Sequence, residues 1–217
     1  MFLTGLIPML AASQVKSSIL NDYNDDNLNY HIGIHTALSK FEYRQIAQKF
    51  TAVSKGGRVS KITLNRFIAV ENDNTLTTFD ETKFKVHIYS SDSSGKPGTK
   101  LNSADIIITD KASKHIIIDL KSENLTIPGT IFFIAIEYLR TKENERLTKA
   151  SPDGTIPFIP PYGNFKFLPI YQPFINMSSK KGGPKNIWSM DNSNKWIVFD
   201  YFFPDLTDLA ISAEINY

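Results

Sequence analysis

The stretch KVHIYSSDSSGKPGTKL, residues 85–101, poses the choice on which the fold turns. A phosphate-binding loop needs G-x-x-x-x-G-K-[ST] between a strand and a helix, so that backbone N–H groups and the helix dipole face the anion. Here Gly95-Lys96-Pro97-Gly98 follows an alternating run, Pro97 removes one of those N–H groups, and the residues beyond read as another strand. The spacing predicts a turn instead. Pro97 presets φ for the second turn position, and Gly98 is expected to supply the positive φ that a type II turn wants next.

Working outward, FKVHIY (84–89) puts Phe84, Val86 and Ile88 on one face and Lys85, His87 and Tyr89 on the other. LAISAEI (209–215) does the same, with Leu209, Ile211, Ala213 and Ile215 together. Period two is the mark of a half-buried strand. ADIIIT (104–109), HIIIDL (115–120), TIFFIAIEYL (130–139) and KWIVFDYFF (195–203) read as strands buried on both faces or at sheet centres. QKFTAV (48–53) and RVSKITLNRFI (58–68) complete the set. One strand recurs about every 8–15 residues and no long 3.6-period segment follows residue 50. The fold class expected is all-β: an antiparallel β-sandwich, jelly-roll-like. A helix is compatible only with residues 37–48.

Composition narrows the function classes. A chain of 217 residues suits one domain; at this size roughly 70% of the unfolded surface is buried, so neither metal nor disulfide is needed to fold. Twenty-four Lys and Arg against 22 acidic residues leave +2, no strong field for nucleic acid or an anionic membrane. The absence of cysteine removes zinc–thiolate sites, iron–sulfur clusters and thiol nucleophiles. Residues 2–12 are mostly apolar, and Ala11-Ala12-Ser13 places small residues ahead of Gln14, so 1–13 reads as a signal-peptide remnant or as an ordinary N-terminus. Residues 14–45, with the polar break NDYNDDNLN (21–29), read as an N-terminal extension, and 46–217 as the sandwich. No stretch is long enough for a transmembrane helix.

Each candidate chemistry meets an obstacle. His31 and His35 stand at i, i+4 but lack the glutamate of H-E-x-x-H, and Gly33 with two isoleucines suits a strand, where the pair lies too far apart for one ion. DYNDDN (22–27) opens like a calcium loop, yet position six is Asn27 and position twelve is Gly33. No metal or cofactor is therefore expected. There is no G-x-S-x-G. Asp110, Asp119, Glu137 and Asp200 would serve a glycosidase only if two carboxylates, or a His–carboxylate pair, converged in a cleft; carboxylates on strands are more often solubilising. The stretch 151–185 holds seven prolines among aromatics, which predicts a decorated loop or edge strands. Tyr162, Phe165, Phe167, Tyr171, Phe174, Trp188 and Trp196 lie in or beside it. They either fill the sandwich or present rings to a ligand, and Tyr162, Tyr171 and Trp188 are the members expected at the surface. KKGGPK (180–185) reads as a solvated turn.

GGRVSKITLNRF, FKVHIYSSDSSGKPGTKL and HIIIDLKSENLTIPGTIFFIAIEYL, within 56–139, resemble a recurring segment of secreted Bacteroidota proteins, often found in chains labelled carboxypeptidase-like regulatory-domain proteins. The resemblance implies an uncharacterised secreted β-sandwich with no catalytic residues to carry over; the regulatory module that usually precedes it is not recognisable in residues 1–45. Together these readings lead to a non-catalytic, extracytoplasmic module for binding, adhesion or accessory roles, with a carbohydrate or a surface protein as partner and Tyr162, Tyr171 and Trp188 as ligand-contacting residues. A surface assembly protein is the structural alternative, and a carbohydrate-active enzyme the catalytic one.

Overall fold

A computed structural model describes residues 16–35, 42–68, 81–111, 113–150, 166–179, 183–200 and 206–217. These form β1 (Ser17–Leu20), β2 (Leu28–His35), β3 (Gln45–Thr51), β4 (Arg58–Asn65), β5 (Glu81–Ser91), β6 (Pro97–Lys100), β7 (Ile106–Lys111) and β8 (His115–Asp119). Then follow β9 (Ile131–Tyr138), β10 (Glu145–Ala150), β11 (Lys166–Ser179), β12 (Ile187–Met190), β13 (Trp196–Val198), β14 (Leu206–Leu209) and β15 (Ile211–Asn216). One sheet runs β1-β15-β4-β8; a second runs β10-β11-β14 with β2 beside β11; the third runs β13-β12-β3-β9-β5-β6, with β7 also on β5. Every ladder is antiparallel. The protein is an all-β sandwich whose seven-stranded sheet curls into a half-barrel.

The inner faces of all three sheets share one core. Phe84, Val86 and Ile88 of β5, Phe132, Ile134 and Ile136 of β9, and Ile62, Ile118, Ile175, Ala213 and Ile215 from the other two sheets are all buried in it. Phe50 and Phe132 stack at 5.1 Å between centroids. The two-residue alternation read from 84–89 is therefore the device that fills this interior.

Four expectations change. The reversal after β5 is a turn, as its polar residues imply, but its positive-φ residue is Gly95 at +80°, and Pro97 and Gly98 already belong to β6. The reason is Asp92: its Oδ1 accepts from Ser94 N at 2.8 Å, Ser94 Oγ at 2.9 Å and Lys96 N at 2.9 Å, closing the turn one residue before the proline. Residues 14–45 are not set apart from the sandwich where they are described, since β1 pairs with β15 and β2 with β11. The described part of 37–48 enters strand β3 rather than a helix. The proline-rich stretch also departs from expectation: β11 runs between β2 on one side and β10 and β14 on the other. Pro169 pairs with β10 just before the β2 ladder starts at Ile170, and Pro173 lies where that ladder shifts register between Tyr171 and Ile175. Proline is tolerated in a central strand at such an irregularity because no ladder N–H is required of it.

Gly33 on β2 sits where two elements touch. A Cβ built there would lie 2.4 Å from Phe174 Cδ1 and 3.0 Å from the Tyr171 carbonyl oxygen. Gly33→Ala is expected to lower stability by about 1–3 kcal/mol, the usual cost of overpacking a filled site. A urea titration monitored by circular dichroism checks this; an unchanged midpoint contradicts it.

Candidate functional site

A sandwich needs only the inner face of each sheet to be apolar. The outer, concave face of the seven-stranded sheet nevertheless carries a second buried cluster: Ala47, Tyr89, Phe133, Ala135, Trp188, Met190 and Trp196. The strand registers place these side chains in rows. Lys85, Glu137, Gln45, Met190 and Trp196 stand opposite one another across β5, β9, β3, β12 and β13. The next row is His87, Ala135, Ala47, Trp188 and Val198. Beyond it Tyr89 faces Phe133.

The curl gives this face its depth. Tyr89 on β5 and Trp196 on β13 are separated by four strand steps, about 19 Å on a flat sheet. Their ring centroids are 5.5 Å apart, edge to face. Phe133 and Trp188 meet the same way at 5.9 Å. The two alanines at the centre of the middle row form a low floor, and the aromatic rings close over it.

A polar network lies against this hollow. Glu137 Oε2 is 2.6 Å from His87 Nε2 and 3.5 Å from Gln45 Nε2, which donates to it. Its other oxygen is 3.8 Å from Arg44 Nη2. The Tyr89 hydroxyl donates to Gln45 Oε1 at 3.0 Å, and Arg44 Nη1 donates to Asn194 Oδ1 at 2.6 Å. At the rim, Lys85 and Lys100 both reach Asp105, at 2.6 and 3.0 Å, and their ammonium groups hold that carboxyl down at about 2. Burial raises the Tyr89 phenol and lowers the His87 imidazole, the latter against the pull of Glu137. The side chain of His87 is 3% exposed and neutral by this balance. Because a carboxylate only accepts, the neutral ring carries its proton on Nε2 and leaves Nδ1 as an acceptor.

The sign of the His87 effect sets a pH dependence. With its folded pKa held below the ordinary histidine value of 6.5, the unfolded chain binds the proton more readily, so stability falls as pH drops below 6.5. The difference in urea midpoint between pH 7.5 and pH 5 is expected to shrink in His87→Gln; equal differences in the two proteins contradict this.

The residues expected to contact a ligand are not gathered together. Trp188 is 9% exposed and buried in the concave cluster, so the expectation that it stands at the surface is corrected. The cause is the pairing of β12 with β3, which turns the indole over Ala47. Tyr171 is half-buried on a different sheet, its hydroxyl donating to Glu145 Oε2 at 3.1 Å. Tyr162 lies outside the described residues. Phe174 is buried in β11, beneath the Gly33 contact. His31 is on β2, stacked on Phe67 at 3.9 Å. Among the described residues, no three His, Asp or Glu converge on one point.

The sequence held a faint signal for the concave face. Outward positions on β5 carry His87 and Tyr89 where Lys and Thr would suffice, and β9 is apolar on both faces through Phe133 and Ala135. Glu137 stands out in the sequence only as one of four candidate carboxylates, and Gln45 and Arg44 carry no local signal, because their roles depend on strands far apart in the chain.

Two more open clefts flank Tyr23. One, of about 570 Å³, is lined by Asn24, Gln48, Lys49, Ser179, Asn186 and Asp208 among others; a smaller one, of about 280 Å³, includes Asp25, Lys61, Thr63, His115 and Glu214. An aspartate in each is already spent on structure. Asp208 Oδ1 takes Gln48 at 2.7 Å and Asn186 at 2.8 Å, tying two sheets together, and Asp25 takes Asn65 at 2.7 Å and Lys114 at 2.6 Å. The concave face, with polar atoms still uncommitted, is the better site. No family model matches the chain, and neither does a curated protein nor a solved structure.

Proposed function

We propose that this chain is a non-catalytic binding module acting outside the cytoplasm, with the concave face of the seven-stranded sheet as its recognition surface for a carbohydrate or a surface protein. One observation carries the reading: a face that folding does not require to be apolar gathers four aromatic rings and a hydrogen-bonded Glu137–His87–Gln45–Arg44 set. Apolar walls with a few convergent polar groups are what ligand sites share. The resemblance to secreted sandwich modules supports the extracytoplasmic setting. A glycan array probed with the full chain and with Tyr89→Ala and Arg44→Ala is expected to give a defined set of bound glycans that both variants lose. Arrays that stay blank remove the carbohydrate and leave only the surface protein as partner, and arrays that read alike for all three proteins contradict the concave face as the site.

The 2.6 Å contact between His87 and Glu137 favours a second reading, a hydrolase in which the carboxylate orients a general base. Turnover of chromogenic glycosides or esters that vanishes in His87→Gln would replace the binding role with this one.

A further inference from the structure

We propose that β13, the outer strand of the β12–β13 edge hairpin, is a lid over the concave face, and that its opening admits one neutral polyhydroxylated ring between His87 Nδ1 and Trp188 Nε1. This rests on the reading of the concave face as the recognition surface and names its ligand class. Both atoms are buried and neither has a hydrogen-bond partner. Buried polar atoms left in that state are rare and require an explanation. An indole N–H only donates, and with Nε2–H given to Glu137 the His87 Nδ1 only accepts. A hydroxyl does both, so a ring bearing several can satisfy the two together.

His87, Ala135, Ala47 and Trp188 form one row across four strands. Three strand steps amount to about 14 Å along the sheet, which the curl of this face and the two ring lengths shorten, so β13 must move outward before a sugar ring can enter. The alanines leave the floor low, and Phe133 and Tyr89 offer apolar walls to C–H faces. Charge agrees as well. Arg44, Lys85 and Lys100 face Glu137 and Asp105, and every one of these is in an ion pair. A rim so nearly balanced gives no advantage to a strongly charged ligand.

The space is closed by Trp196 against Tyr89. Trp196 belongs to β13, a three-residue strand at the sheet's edge that pairs with β12 alone among the described residues. Displacing β13 breaks its three-pair ladder to β12 and the Arg44–Asn194 hydrogen bond, with Phe199, the core residue that follows it, as the point where the movement must stop.

The chain has two tryptophans, and both lie in this hollow, so intrinsic tryptophan emission reports on it alone. The full chain is titrated with the methyl glycosides of glucose, galactose, mannose and N-acetylglucosamine, with gluconate and glucosamine as charged controls, by emission and by calorimetry. At least one neutral glycoside is expected to shift emission saturably while both controls leave it unchanged. Trp188→Phe, which keeps a ring and loses the donor, is expected to weaken that binding about three- to tenfold, as is His87→Phe for the acceptor. Trp196→Ala is expected to speed association. Urea midpoints of the variants separate lost contact from lost folding. A flat response to all four glycosides overturns the proposal. Emission changes that both Phe variants leave unaltered overturn it while sparing the recognition surface. Heat released with unchanged emission puts the ligand elsewhere and removes both.

Discussion

Phe132→Ala is expected to lose about 3–5 kcal/mol of stability, enough to leave a large fraction of the protein unfolded in mild denaturant. The side chain is 0% exposed and stacks on Phe50 of the neighbouring strand, 5.1 Å away. It sits on β9, which pairs with β3 on one side and β5 on the other, so the surrounding backbone is held by ladders on both edges. A cavity there cannot collapse without shifting both, and uncollapsed cavities are the costly ones. Phe133→Ala, one residue along and facing the concave cluster, removes the same atoms from a smaller group closed by an edge hairpin. Its loss is expected to be smaller. Urea titrations of the two variants side by side test the assignment of inner and outer faces, and a reversed order contradicts it.

Asp110→Ala is expected to cost about 3–5 kcal/mol by a different route. Arg66, just past β4, has a side chain 1% exposed, and its Nη1 is 3.2 Å from Asp110 Oδ2. Burial pulls the guanidinium pKa down and the Asp110 carboxylate pushes back, and Nη2 also donates to Gln172 Oε1, so a permanently charged group is held in the interior by Asp110 together with Gln172. Removing the carboxylate takes one counter-charge from a buried cation, whereas removing both members together removes the cation as well. Arg66→Met combined with Asp110→Ala is therefore expected to be more stable than Asp110→Ala alone. The four proteins of this double-mutant cycle, compared by urea titration, give the coupling directly. Additive losses would contradict it.

Much of this fold can be read from local pattern. Phe84, Val86 and Ile88 alternate with Lys85, His87 and Tyr89, and a strand's side chains point alternately up and down whatever its neighbours are. The turn after β5 was legible in its polar residues, although the position of the positive φ was not. Pro97 and Gly98 look like turn residues until Asp92 Oδ1 is seen closing the loop ahead of them. Proline in β11 misled for a similar reason. Whether a missing N–H harms a strand depends on the pairing register at that residue, and register is a property of two strands. Tyr171 and Trp188, near neighbours in an aromatic stretch, went to different sheets because β11 and β12 pair with different partners.

The sequence by itself determined the all-β class, the strand positions through the middle of the chain and the core-facing residues of β5 and β15. These follow from a two-residue period, which is local. It did not determine that β7 and β8, read as buried on both faces or at sheet centres, are edge strands exposing Ile107 and Ile117. Only the tertiary structure decided that β1 and β2 close the sandwich, that Arg66 meets Asp110, and that a second buried cluster lines a concave face. The physical reason lies in sheet curvature: twist accumulated over five strands carries Tyr89 and Trp196, 107 positions apart in the chain, to 5.5 Å. Residue order does not display that accumulation, because each strand pair adds a small rotation and only their sum brings the two rings together.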